Sequence, residues 1–137
     1  MIYRTTPWSG VYCASKAAVN SISEVLFMEL KPFGINVLHI APGAVRSNIA
    51  VTGVERLWLP ENTLYARYID NMIERINSSQ ASISMPNDVF AKKVVAQALK
   101  RNPPRYMMLG GFSMLFTILK WLPRGLVLYF MWQRFSR

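Results

Sequence analysis

The sequence predicts an α/β fold, and three observations carry that prediction. From Val11 to about Lys31, apolar or small residues recur at helical spacing: Ala14, Ala18, Ile22, Val25 and Leu26, with Leu30 closing the run. Pro32 and Gly34 follow at once and stop the helix. "INVLHIAPG" (35–43) then reads as a short strand with both faces apolar, as in a buried parallel sheet, ended by Pro42-Gly43. Helix, short loop and such a strand make up half of a βαβ unit.

Residues 1–9 are loop, and no basic-then-apolar secretory signal opens the chain. Residues 44–60 lack clean periodicity and are expected to form a long loop. "ENTLYARYIDNMIERI" (61–76) is amphipathic, with Leu64, Tyr68, Met72 and Ile76 four apart on one face. After a polar break at 78–88, Asn87 or Asp88 can cap a helix over roughly 88–100, with Val89, Val94 and Ala98 on its apolar side. "RYMML" is a candidate second strand. There are no internal repeats.

Composition removes several classes of function. One cysteine, Cys13, excludes an internal disulfide, and one histidine, His39, leaves no plausible zinc set. The chain of 137 residues is 52% apolar and fits one domain. Its net charge of +9 is unevenly placed. Residues 1–88 hold seven Lys/Arg and seven Asp/Glu, whereas residues 89–137 hold nine Lys/Arg and no acid. A basic excess beside the most hydrophobic stretch suits an anionic membrane surface better than nucleic acid, for which no motif is present.

The hydrophobic stretch is too short to span a bilayer. Residues 106–119 give fourteen uncharged positions, against the roughly 20 that a crossing helix needs. Lys120, Pro123 and Arg124 then interrupt before "LVLYFMW" (126–132). Two short apolar segments around a basic Pro turn suggest an interfacial or re-entrant hairpin, with Tyr106, Trp121, Tyr129 and Trp132 at headgroup level. The expected division is 1–105 and a membrane-associating tail, 106–137. Packing of the tail on its own domain is the other reading.

The chemistry-bearing pattern is "GVYCASKAAV" (10–19). On a helix Tyr12 and Lys16, at i and i+4, share a face. An ammonium beside a phenol favours its phenolate, and such a tyrosine can pass a proton to or from a carbonyl or alcohol oxygen. Taken alone, the pattern is weak, and a surface tyrosine and lysine on an ordinary helix is the favoured reading.

The 36 residues "YCASKAAVNSISEVLFMELKPFGINVLHIAPGAVRS" (12–47) do more, because they resemble the catalytic helix and following strand of the short-chain dehydrogenase/reductase family. Tyr-x-Ala-Ser-Lys-Ala-Ala, Gly-Ile-x-Val, and Pro-Gly with a hydroxyl four residues on appear in order. The resemblance implies the C-terminal part of a Rossmann-type doubly wound parallel sheet, here truncated and mostly helical. It implies Tyr12 as catalytic acid/base and Lys16 as its partner and a ligand of the nicotinamide ribose. Pro42, Gly43 and Val45 would line the nicotinamide site, and Ser47 would stand where the family has a threonine. Residues 48 to about 80 would form the substrate loop and its helix, whose Leu57, Trp58, Leu59 and Leu64 suit a lipophilic substrate and equally suit ordinary packing.

The family's Gly-rich phosphate turn and its Asn-Ala-Gly segment find no match here. Gly110-Gly111 lies near the wrong end. Its catalytic serine lies about a dozen residues before the tyrosine, and Ser9 is too close to take that part. The chain is therefore expected to lack the nucleotide-binding half and to be inactive alone. Within the family, core and tail look most like the fungal NADPH-dependent acyl-dihydroxyacetone-phosphate reductases. That implies a lipid-like substrate, NADPH, and the cytosolic face of the endoplasmic reticulum or lipid droplets, with Arg46, Arg56 or Arg67 available to a substrate phosphate. A steroid or retinol dehydrogenase is the alternative within the family. A non-catalytic lipid-surface or partner-binding half-domain, including a homodimer through the Tyr12–Lys16 helix, is the alternative outside it.

Overall fold

The computed structural model describes residues 5–119 and 121–137. The loop reading of residues 1–4 and the interruption at Lys120 lie outside the described residues. The chain is α/β and mostly helical, with one two-stranded parallel sheet.

Helix α1 (Gly10–Leu30) matches the predicted helix within a residue at each end. Its alanines favour the helical state, and its stop is a left-handed cap. Gly34 adopts φ 70°, its N–H donates to Lys31 O (3.1 Å), and Ile35 N–H donates to Leu30 O (3.3 Å). A short 3-10 turn, Lys31–Phe33, sits inside this stop. No residue of α1 is buried, although the sequence gives it an apolar side.

Strand β1 (His39–Pro42) is shorter than the predicted 35–43. It runs parallel to β2 (Tyr106–Leu109), with His39 opposite Tyr106 and Pro42 opposite Leu109. The His39 and Tyr106 rings stack with centroids 5.4 Å apart. β1 is half-buried rather than buried because β2 is its one ladder partner among the described residues. Pro42 costs the ladder no bond, since the donors facing β2 alternate and Gly43 N–H, next along, donates to Leu109 O.

The expected loop at 44–60 contains a short helix, α2 (Ile49–Glu55). Seven residues, five of them Ile, Val, Thr or Gly, are too few and too weakly helical to show a period. Gly53 lets α2 approach the next helix, since a Cβ there would lie 3.0 Å from Ile76 Cγ2. That helix, α3 (Ile69–Asn77), starts later than the predicted 61. Asn62 takes a left-handed φ of 62° and a 3-10 turn occupies Ala66–Tyr68, so Leu64 falls outside the helix and stands 91% exposed. Met72 keeps its expected inward place, with Tyr68 and Ile76 half-buried beside it.

Helix α4 (Asn87–Ala98) agrees with the predicted span, but its N-cap is Pro86, and neither Asn87 nor Asp88 caps it with a side chain. Asp88 instead pairs with Lys92 one turn on, at 3.7 Å. The tail forms α5 (Ser113–Leu119) and α6 (Arg124–Ser136). The small core has one buried apolar residue from each of three helices: Ala50 of α2, Met72 of α3 and Val127 of α6. α6 is fastened to α3 by Arg134–Glu74 (2.6 Å) and by the Arg75 guanidinium over the Phe135 ring (5.7 Å).

Candidate active site

Three elements build the candidate site: the first turns of α1, the segment leaving β1, and the stretch from α2 to α3. The approach to α1 is tightly held. Trp8, at φ 66° in the left-handed region, precedes the N-cap Ser9. Such a conformation costs a bulky residue about 1–2 kcal/mol, and packing on both sides offsets it. The Trp8 ring packs on Tyr68 (5.0 Å between centroids) and edge-on to Tyr65 (5.9 Å), and its Nε1–H donates to Phe135 O (2.9 Å). Ser9 O accepts from Cys13 N–H (2.8 Å), while Ser9 Oγ shares a hydrogen bond with Thr6 Oγ1 (2.7 Å). Arg75 Nε donates to the same Thr6 hydroxyl at 2.8 Å, tying α3 to this loop.

Tyr12 and Lys16 leave the first two turns on one face. The Lys16 ammonium lies 5.4 Å from the Tyr12 ring centroid, within cation–π range. It stands over the ring, and no hydrogen bond joins it to the hydroxyl. Tyr12 is 51% exposed and Lys16 is exposed as well. Among the described residues neither the Tyr12 hydroxyl nor the Lys16 ammonium is engaged in a hydrogen bond or ion pair, so four donors and the phenol oxygen as acceptor face solvent ready for a ligand.

The second half of the site is rigid backbone. Gly43 N–H donates to Leu109 O (2.5 Å), and Ala44 and Gly111 exchange two bonds of 2.9 Å. On the other flank Met85 N–H donates to Ala44 O and Arg46 N–H to Met85 O, both at 3.0 Å. Residues 43–46 are thus clamped between 109–111 and 85, and Gln80 Nε2 extends the clamp to Ser47 O (2.9 Å). The crossing needs glycine on both sides. A Cβ on Gly43 would meet Gly111 O at 2.3 Å, one on Gly111 would meet Ile83 O at 2.6 Å, and Gly110 holds φ 111°. Gly110-Gly111 therefore serves backbone packing, which explains a pair that fits no phosphate turn. Pro42, Gly43, Val45 and Ser47 come together in this clamp, while Tyr12 and Lys16 stand on α1. The helix reaches the sheet through Arg105, which pairs with Glu24 (4.0 Å) and lies over the Phe27 ring (4.5 Å).

In the third element Leu57 and Leu59 are half-buried, while Trp58 and Leu64 are exposed. Arg67 is occupied: its guanidinium lies 4.7 Å from the Tyr68 ring centroid and donates to the Tyr68 hydroxyl (2.5 Å). Arg46 and Arg56 are exposed and make no ion pair among the described residues. The Trp8–Tyr65–Tyr68 cluster was not legible in the sequence, since nothing in the spacing of residue 8 from residues 65 and 68 announces a contact.

These groups fit the nicotinamide-ribose end of a dinucleotide: a phenol hydroxyl and an ammonium on one helix face, with a clamped Gly43–Ser47 turn ending in a hydroxyl. Among the described residues no Gly-rich strand-to-helix turn offers a cradle for the pyrophosphate. No cluster of potential metal ligands occurs among them either.

Comparison with known proteins agrees with this geometry. The family model for short chain dehydrogenases matches residues 4–57, which carry Tyr12, Lys16 and the Pro42–Ser47 turn. The chain is 36% identical over 94 residues to the short-chain dehydrogenase ptmH of Penicillium ochrochloron, covering 69% of this chain and 34% of that protein. It is 32% identical over 115 residues to the short-chain dehydrogenase RED1 of Pyricularia oryzae, covering 82% of this chain and 40% of the relative. It is also 31% identical over 111 residues to the NADPH-dependent 1-acyldihydroxyacetone phosphate reductase of Saccharomyces cerevisiae, covering 78% and 35%. The chain thus spans between a third and two fifths of these curated relatives. No solved structure matches it significantly. With the Tyr-x-x-x-Lys helix, the strand it feeds and the clamped Pro-Gly turn all in place, the chain belongs to the short-chain dehydrogenase/reductase family of oxidoreductases.

Proposed function

We propose that Tyr12 and Lys16 serve the NADPH-dependent reduction of a lipid ketone, with 1-acyldihydroxyacetone phosphate as the substrate to be tried first. The observation that carries this reading is the Tyr12–Lys16 pair, exposed on one face of α1 with its hydroxyl and ammonium unengaged. Bound NADPH supplies the hydride that goes to the carbonyl carbon. Tyr12 Oη holds the proton that goes to the carbonyl oxygen, leaving an alcohol and a phenolate that is reprotonated from solvent. Lys16 holds positive charge beside that phenolate and donates to a ribose hydroxyl. The Gly43–Ser47 clamp fixes the ring-binding turn so that substrate and cofactor meet in one geometry.

Two features support a lipid phosphate as substrate. Trp58 and Leu64 place apolar surface on the stretch between α2 and α3, and Arg46 and Arg56 leave two guanidinium groups for an anionic headgroup. The yeast relative, named for that substrate and for NADPH, supports the choice of both.

The test uses protein captured from cells through an antibody to its C-terminal residues. Loss of NADPH absorbance is followed with 1-acyldihydroxyacetone phosphate, retinal and a steroid ketone in parallel. Tyr12→Phe is expected to lower turnover by about 10²–10⁴. Full activity in that variant overturns the role of Tyr12. Turnover of retinal or the steroid with none of the acyl phosphate overturns the choice of substrate and leaves the reaction standing.

A further inference from the structure

The outward side of α6 is apolar where an ordinary surface helix is polar. Its inward side is accounted for: Val127 is buried, Met131 and Phe135 are half-buried, and Arg134 is spent on Glu74. On the other side Leu128 and Trp132 stand one turn apart with Tyr129 beside them, and Leu126 and Phe130 flank the row. All five are exposed, Tyr129 at 53% and Trp132 at 51%. The three rings run together, Tyr129 lying 6.0 Å from Phe130 and 6.3 Å from Trp132 between centroids. Just upstream Trp121 is 87% exposed, and Met114, Leu115 and Ile118 of α5 also face solvent. A helix that is apolar all round is one that expects cover on every side.

Charge decides what that cover is. Residues 89–137 contain nine Lys/Arg and no Asp or Glu, so the patch belongs to the most cationic third of the sequence, and Arg124, Arg134 and Arg137 lie on α6 or at its end. The acid that reaches it, Glu74 of α3, is neutralised by Arg134. A second copy of so cationic a surface would be repelled, whereas an anionic one is attracted. No described helix is long and apolar enough to cross a membrane. α6, with 13 residues, is about 20 Å long, short of the roughly 30 Å hydrocarbon core. Tyr and Trp on one side of a short helix amid cationic residues are the chemistry of helices lying in the headgroup layer.

We infer that α6, with α5 and Trp121, docks in the plane of an anionic lipid surface through Leu128, Tyr129 and Trp132. The inference does not depend on the reaction proposed above. It fixes an orientation as well, since Trp8 joins the C-terminal end of α6 to Tyr65 and Tyr68, and the docked helix therefore carries the stretch around Leu64 with it.

Co-sedimentation of the full chain with vesicles tests it, using phosphatidylcholine alone or mixed with phosphatidylserine. The chain is expected to pellet with the mixed vesicles and to bind pure phosphatidylcholine at least ~10-fold more weakly. The double variant Tyr129→Ser/Trp132→Ser is expected to lose at least ~10-fold in affinity for the mixed vesicles. Arg137→Gln is expected to lose about fivefold, whereas Lys31→Gln and Trp58→Ser bind as the wild type. Circular dichroism confirms that each variant keeps its helix, since both serine positions are half-exposed. Wild-type affinity in the double variant overturns the inference. So does a dimer that the double variant dissolves while vesicles go unbound, which would assign the face to a second copy. Equal competition by duplex DNA with no effect of Trp132 would likewise overturn it, reducing the surface to a general polycation.

Discussion

Two residues show how differently a sequence displays chemistry and packing. The Tyr12–Lys16 pair was legible as a juxtaposition, because four-residue spacing on a helix is visible in one dimension and the two side chains do meet on α1. Gly43 was legible as a turn, but its partner was not. Its requirement is set by Gly111 O, 68 positions further along the chain, at 2.3 Å from where a Cβ would lie. Gly43→Ala is expected to destabilise the chain by about 1–3 kcal/mol, the usual cost of forced overpacking. Urea denaturation of the variant measures this. Because the obstacle is backbone rather than a flexible side-chain end, a compensating side-chain substitution at 110 or 111 is not expected to restore stability.

At the scale of elements, α1 and α4 were readable from periodicity and breakers, and β2 from a run of apolar residues before Gly110-Gly111. The misreadings have two causes. α2 is shorter than two turns' worth of pattern, and the front of the predicted 61–76 helix is unwound where Asn62 turns left-handed and Trp8 packs on Tyr65 and Tyr68. Tertiary contact overrode local periodicity there. The α3–α6 junction gives a testable charge effect. A hydrogen bond from Arg134, and then its positive charge, hold the Glu74 carboxyl below the ordinary glutamate range, with desolvation opposing weakly. A depressed carboxylate stabilises the fold above its unfolded-state titration, and that support is lost as acid protonates it. Glu74→Gln is therefore expected to lower the denaturation midpoint slightly at neutral pH. The gap between variant and wild type is expected to close on acidification through and below the glutamate range. The pair is exposed, so the effect is small. A gap that widens in acid would refute the pairing.

For the whole molecule, the mismatch between chemistry and scaffold is the leading feature. A candidate site with a clamped turn rests on two strands and three buried apolar residues among those described. Two strands are fewer than an independently stable sheet requires. α1 exposes Val11, Ile22 and Met28 with nothing described to cover them. Isothermal titration of the chain by itself with NADPH is expected to show no saturable binding in the low-micromolar range, because the described residues offer no pyrophosphate cradle. Saturable binding in that range would mean that the ribose end alone carries the affinity. Hydrogen exchange is expected to find α1 the least protected of the longer helices.

The pairing of β1 with β2 also sets a schedule for synthesis. His39 and its partner Tyr106 are 67 positions apart, since 106 − 39 = 67. A ribosome adding about 5–20 residues per second needs several seconds to cover that interval. Throughout it, Val37 to Ala41 leave the exit tunnel with the edge that β2 will cover still open, which is the edge a chaperone would be recruited to shield. Completion of β2 thus governs when that edge becomes safe, and a synonymous slowing of translation between codons 43 and 105 would lengthen the exposure without altering a single amino acid.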